Sequence, residues 1–245
     1  MRSYHFVSLS LLIGSALLFC TLSYAQDSSS KDTLPVPKAT PSASPEVRKS
    51  RPSPEREQAM SRGQQLLFKE HNPKASIEEF KRATRIDPWY GQGYMLLGLA
   101  QMQIRHWADA QFAFEEAAKV EPGNAKAYLG IGSALNEQQN YAEAQKALEH
   151  SLELAPESPE AQYELGRTLA ATGKWEQAAP HVQRAIALNP DYAGPHALMG
   201  NIYVQREQPE PALKEFQEFL RLDPQSSMAP AVKNMIAQLK KTLEQ

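Results

Sequence analysis

Residues 91–124 read GQGYMLLGLAQMQIRHWADAQFAFEEAAKVEPGN, and the phrase returns in altered form from positions 125, 159 and 193. Within it Tyr94, Leu97, Gly98 and Gln101 fall at i, i+3, i+4 and i+7, which places them on one face of a helix. Ala110, Phe114 and Ala117 repeat that spacing on a second helix. Gly98 and Ala110 have almost no side chain, so the two backbones are expected to approach closely where they cross, with Leu97 and Phe114 filling the space beside the contact. Pro122 cannot continue a helix without losing a backbone hydrogen bond, so it ends the second helix and starts the turn to the next copy. Trp107, Tyr141 and Trp175, 34 residues apart, each open a second helix as a large apolar plug.

The same beat runs along most of the chain. Pro88, Pro122, Pro156, Pro190 and Pro224 keep it, as do Gly98, Gly132, Gly166 and Gly200, and Ala110, Ala144, Ala178 and Ala212. Small residues and prolines at fixed phases of a 34-residue period indicate an all-α stack of helix pairs. The pattern resembles the tetratricopeptide repeat: Tyr94, Leu97-Gly98, Ala110, Phe114 and Pro122 match its order of large residue, Leu-Gly, Ala, aromatic and Pro. The next copies read Tyr128, Ile131-Gly132, Ala144, Leu148 and Pro156, then Leu165-Gly166, Ala178, Val182 and Pro190. The last reads Met199-Gly200, Tyr203, Ala212, Phe216 and Pro224.

The resemblance implies a right-handed superhelical solenoid over 54–245, with about five helix-turn-helix repeats at 57–90, 91–124, 125–158, 159–192 and 193–226 and a capping helix at 228–243. The first copy is degenerate. Phe80, Ala83 and Pro88 keep phase, but Gly63 stands 25 residues before Pro88 where the others show 24, and the extra residue is expected in the loop around His71-Asn72-Pro73. In the cap, Met235, Leu239 and Leu243 share one side and Lys240 and Lys241 the other. Pro180 falls inside a second helix and predicts a bend, because Glu176 loses a partner for its carbonyl. Pro209 and Pro211 sit in a first helical turn, where a missing donor costs little, and Phe219 replaces the usual small residue as a plug against the cap.

The beginning of the chain differs. Arg2 precedes an apolar run from Phe6 to Phe19, and Ser23-Tyr24-Ala25 offers small residues before Gln26, so 1–25 reads as a secretory signal peptide. Read instead as a membrane anchor, Phe6 to Tyr24 would just span a bilayer. Cys20 is the only cysteine, and Phe19 before it argues against a lipid attachment signal, which wants a small residue there. Cleavage after Ala25 would leave no thiol and would shift the net charge from -2 to -3, because Arg2 is the one charged residue removed. Residues 26–53, rich in Ser and Pro, predict an extended, disordered linker, with Arg48, Lys49 and Arg51 as a small basic cluster.

With 26 basic against 28 acidic side chains there is no field suited to nucleic acid. His71, His106, His150, His181 and His196 scatter over different phases without an HxxxH pair, so neither catalysis nor a metal or other cofactor is expected. What the array offers is a concave surface, which in this family is lined by the first helices. The face beside the crossing face contributes Met95, Leu99 and Met102, then Leu129, Ser133 and Asn136, then Tyr163, Arg167 and Ala170, then Ala197, Asn201 and Val204. Its Met, Leu and Tyr floor suits an apolar peptide or helix of a protein partner, with Asn136, Arg167 and Asn201 free to meet that partner's backbone or an acidic group. The family's lysine and asparagine clamp for a carboxylate is disfavoured, because only Arg167 and Lys126 are basic there.

The function expected is therefore that of a non-catalytic, exported interaction scaffold of the cell envelope, periplasmic or secreted. The alternatives are a self-associating spacer and an accessory subunit of an envelope enzyme or secretion complex. The groove residues also have a purely structural reading, as packing against the first repeat or as a seat for the chain's own linker.

Overall fold

The computed structural model of the protein describes Ser50 and residues 53–244, all within the compact unit Pro37–Gln245. The segment read as a signal peptide, and all of the linker except Ser50 and Ser53, lie outside the described residues. The described residues form eleven α-helices and no strand. They are α1 (Pro54–Gln64), α2 (Pro73–Ile86), α3 (Gly91–Gln103), α4 (Trp107–Val120), α5 (Ala125–Glu137) and α6 (Tyr141–Leu154). The series continues with α7 (Pro159–Ala171), α8 (Trp175–Leu188), α9 (Ala193–Gln205), α10 (Pro209–Leu222) and α11 (Ala229–Leu243). Odd-numbered helices from α1 to α9 open a repeat, even-numbered ones close it, and α11 packs on α10 as the cap.

Each helix packs against the next in the chain. First helices of consecutive repeats also touch, α3 with α5, α5 with α7 and α7 with α9, whereas second helices meet each other weakly at most. A stack whose first helices are closer together than its second helices curves toward the first, so these line the concave side.

The phased glycines are explained by side-chain size, in a form slightly different from the expected backbone crossing. A β-carbon on Gly98 would lie 2.6 Å from the Phe114 ring, one on Gly132 2.4 Å from Leu148, and one on Gly200 2.6 Å from Phe216. At these glycines the first helix receives the large residue of the second helix, side chain against backbone, while Ala110, Ala144 and Ala212 bury completely. Trp107, Tyr141 and Trp175 are the first residues of their helices, and Trp175 packs against the Leu165–Val182 cluster. Pro180 leaves α8 unbroken and faces solvent, while its neighbour Ala179 is buried.

The extra residue of the first repeat is not in the loop around His71. Five residues with positive φ close the first helices, His71 (50°), Arg105 (61°), Gln139 (62°), Gly173 (76°) and Glu207 (56°), and they stand 34 apart without a break. The insertion must therefore precede His71. It lies in a π-helical turn, Gln65–Lys69, where the Glu70 N–H donates to the Gln65 carbonyl at 3.0 Å. The closing bond confirms the count. The Asn72 N–H reaches back six residues to Leu66 at 2.8 Å, whereas His106, Asn140, Lys174 and Gln208 reach back five, to Gln101, Leu135, Leu169 and Tyr203. The wide turn absorbs the residue inside the helix because the loop geometry, fixed by the left-handed residue and the following helix, has no room for it.

Four of those five left-handed positions carry a side chain, which costs about 1–2 kcal/mol each relative to glycine. Gly173 shows that the turn accepts glycine. Gln139→Gly is expected to stabilise the protein by about 0.5–1 kcal/mol, after subtracting the greater freedom of glycine in the unfolded chain. Thermal unfolding should show a midpoint raised by about 1–4 °C, and an unchanged or lowered midpoint would contradict the assignment.

Candidate binding groove

The groove begins in the π-helical turn, Gln65–Lys69, that follows α1. Counted back from the in-phase His71, Phe68 takes the phase of Met102, a correspondence hidden in the sequence by the one-residue insertion. Burial supports the alignment: Leu66 and Leu67 are buried like Ala100 and Gln101, and Phe68 points outward at 55% exposure. On α3, Leu99 is 43% exposed. Met95 and Met102 are half-buried and pack on the Tyr94–Ile131 core, so each offers one side to solvent.

Further along, the residues divide. Leu129 is half-buried against the Leu148–Leu165 cluster and Ser133 is partly exposed. Asn136 was expected to be free for a partner but is buried, its Nδ2 donating to Glu164 Oε2 at 3.0 Å and to the Glu164 carbonyl at 3.3 Å. Thr168 Oγ1 lies 2.8 Å from Asn136 Oδ1, so the amide is fully used between α5 and α7. Arg167 is likewise engaged: Nη1 donates to both Glu164 oxygens at 3.0 and 3.1 Å and Nη2 to Glu137 Oε1 at 2.8 Å. Burial works against its charge, but Glu164, Tyr163 and Glu137 hold the proton more firmly than usual. Ala170 is buried in the Leu148–Ile202 cluster and Ala197 in the core of the last repeat, and neither reaches the groove surface. Asn201 is partly exposed, and Val204 packs on the core of the last repeat.

Tyr163 meets a residue that the sequence pattern did not single out. Its ring lies edge-to-face with Tyr192, centroids 5.1 Å apart at 69°, in the turn before α9. A β-carbon at Gly194 would stand 3.0 Å from the Tyr163 ring, so this glycine, at the groove phase of α9, leaves the ring its place. Burial pushes the Tyr163 phenol up to about 12, with Glu164 and Glu137 adding to the effect and Arg167 opposing it. Tyr192 is raised too, first by burial and then by Tyr163 and Glu164.

Among the described residues, His, Cys, Asp and Glu side chains form no group of three placed to share a metal ion, and no helix is long and apolar enough to cross a membrane. Four of the five described histidines have local partners: His106 with Asp109, His150 with Glu153, His181 with Gln162, and His196 with Glu215 and the Pro190 carbonyl.

Sequence models described as "Tetratricopeptide repeat" match residues 95–144, 124–191 and 169–239, which together run from Met95 to Leu239. The chain belongs to the tetratricopeptide-repeat family. Among curated proteins none matches it in sequence. Several solved tetratricopeptide-repeat structures share its fold. MamA residues 41-end from Desulfovibrio magneticus RS-1 superposes with a TM-score of 0.61 at 20% identity, covering 71% of this chain and 98% of that one. Pseudomonas aeruginosa PilF gives 0.64 at 19%, covering 78% and 90%. YrrB, described as a tetratricopeptide-repeat protein with an unusual peptide-binding site, gives 0.54 at 19%, covering 72% and 90%. Identities this low establish the shared architecture alone. In the family's frame the glycines and prolines of this chain set the repeat, and the groove residues are its own.

Proposed function

We propose that this tetratricopeptide-repeat protein is a non-catalytic adaptor of the cell envelope, exported through residues 1–25, which binds a polypeptide segment of a partner along its first helices. The carrying observation is the pair of large apolar side chains left exposed at groove phases of the first two repeats, Phe68 at 55% and Leu99 at 43%, where neighbouring large apolar residues are mostly buried. Isolated exposed apolar residues are common, but two in neighbouring repeats on the inner face, flanked by half-buried Met95 and Met102, form a surface suited to an apolar side chain of another protein. The peptide-binding site described for YrrB is consistent with this use of the architecture. Export rests on the charged start, apolar run and small residues before Gln26.

The decisive experiment pairs Leu99→Asp with Phe68→Asp and compares crosslinked partners with those of the unaltered protein. The variant should keep its helical circular dichroism and lose the partners that the unaltered protein retains. Retention of the same partners would overturn the groove reading. An intact mass beginning at Gln26 in protein recovered from the envelope would support export, and retention of 1–25 would replace it with anchoring.

A further inference from the structure

Taking the groove as the binding surface, we propose that its occupant is a polypeptide segment of two-part chemistry: a bulky apolar side chain seated at repeats 1 and 2, and a lysine or arginine seated at repeats 3 and 4. The apolar seat is Phe68, Leu99 and the open sides of Met95 and Met102. The second seat is the Tyr163–Tyr192 pair with the charges around it.

Those charges are unequal. Glu164 and Glu137 act on Tyr163, and Glu164 and Glu160 on Tyr192, against the single cation Arg167. The Arg167 guanidinium already pairs with Glu164 and Glu137, so its charge is compensated before any carboxylate arrives. Glu137 retains an outward edge, its side chain 34% exposed, and Glu160 is exposed at the start of α7. An ammonium or guanidinium group placed against the two phenol rings would gain both their faces and the surplus negative charge. Lys126, in the first turn of α5, takes the phase that Glu160 takes in the next repeat.

The separation of the seats sets the spacing in the ligand. Neighbouring first helices lie about 8–10 Å apart, so two repeats place the seats roughly 20 Å from each other. An extended segment covers that in about six residues.

A library of random 12-residue peptides displayed on phage and selected on the full chain provides the test. Enriched sequences should carry lysine or arginine about six positions from a bulky apolar residue. In a synthetic peptide of the enriched sequence, changing the basic residue to glutamate should weaken binding at least tenfold. That discrimination should fall below about threefold in the Glu137→Gln, Glu160→Gln variant and also in Tyr192→Leu, while Leu99→Asp abolishes binding altogether. Enrichment without a basic residue, or discrimination unchanged in both of those variants, overturns the two-part ligand and leaves the groove reading intact as long as Leu99→Asp still abolishes binding. Binding indifferent to Leu99→Asp, or no enrichment at all, overturns both.

Discussion

Phe114→Ala is expected to lower the stability of the array by about 3–5 kcal/mol, the loss of a fully buried aromatic side chain and the cavity it leaves. The ring is 2% exposed and fills a slot between two helices of different repeats. A β-carbon at Gly98 on α3 or at Gly130 on α5 would lie 2.6 Å from it. One side chain thus joins repeat 2 to itself and to repeat 3. Because each repeat contacts only its neighbours, loss of this joint weakens one interface rather than a common core. Urea unfolding of the variant should broaden or split into two transitions, and a single transition with a loss under about 1 kcal/mol would contradict the slot.

The glycines supply the internal control. Gly98→Ala in the unaltered protein should destabilise, because the added methyl forces the ring aside. In the Phe114→Ala background the same change should be neutral or stabilising, since alanine favours a helix over glycine by about 1 kcal/mol and the void accepts the methyl.

The second large effect is expected where the start of α1 meets the turn after α2. Asp87 Oδ2 accepts from Arg56 Nη1 at 2.9 Å with both side chains nearly excluded from water, at 10% and 8% exposure. Ser50 donates to the same carboxylate, the Trp89 N–H donates to Oδ1 at 3.1 Å, and the Arg56 guanidinium lies 4.2 Å from the Tyr90 ring centroid. Removing one partner of such a pair leaves the other charge in a poor solvent, at a cost of about 3 kcal/mol or more. Asp87→Ala should therefore release α1 and α2. Hydrogen exchange should show lost protection from 54 to 86 and retained protection in the later repeats. Uniform protection would contradict it. Replacing the pair together, Arg56→Met with Asp87→Leu, should restore much of the loss.

The same joint predicts a pH dependence. Burial tends to raise the Asp87 carboxyl, but the bonds from Ser50, Arg56 and Trp89 and the Arg56 charge outweigh it and hold the group below the ordinary carboxylate range. A depressed carboxyl stabilises the fold above its unfolded-state value and loses that contribution as pH falls through the folded-state value. Protection of α1 and α2 should therefore decline below about pH 4, and Asp87→Asn should abolish that step.

Residues that recur made the architecture legible from sequence. Gly98, Ala110, Phe114 and Pro122 repeat because every copy solves the same packing problem, and such positions reveal themselves without a structure. Phe68 stayed hidden because one inserted residue in the π-helical turn after α1 shifted its phase, although the interval from His71 to Arg105 carried the correct register. Asn136 was misread for a different reason. Its partners Glu164 and Thr168 lie 28 and 32 residues away at phases with no counterpart in other copies, so repetition says nothing about them. Tyr192 belongs to a turn between repeats, where Asn124 and Ser158 cap helices in the preceding copies, and its contact with Tyr163 follows from three-dimensional proximity alone.

The contacts of α3 with α5, α5 with α7 and α7 with α9, without equal contacts among the second helices, give the stack a mechanical asymmetry. Its inner helices rest on one another like the turns of a closed coil, while its outer helices are spaced apart. An occupant that wedges between the inner helices must unbend the coil and draw the outer ones together. A pair of fluorophores on the outer helices α6 and α8 would then act as a strain gauge, reporting what lies in the groove from the opposite side of the molecule.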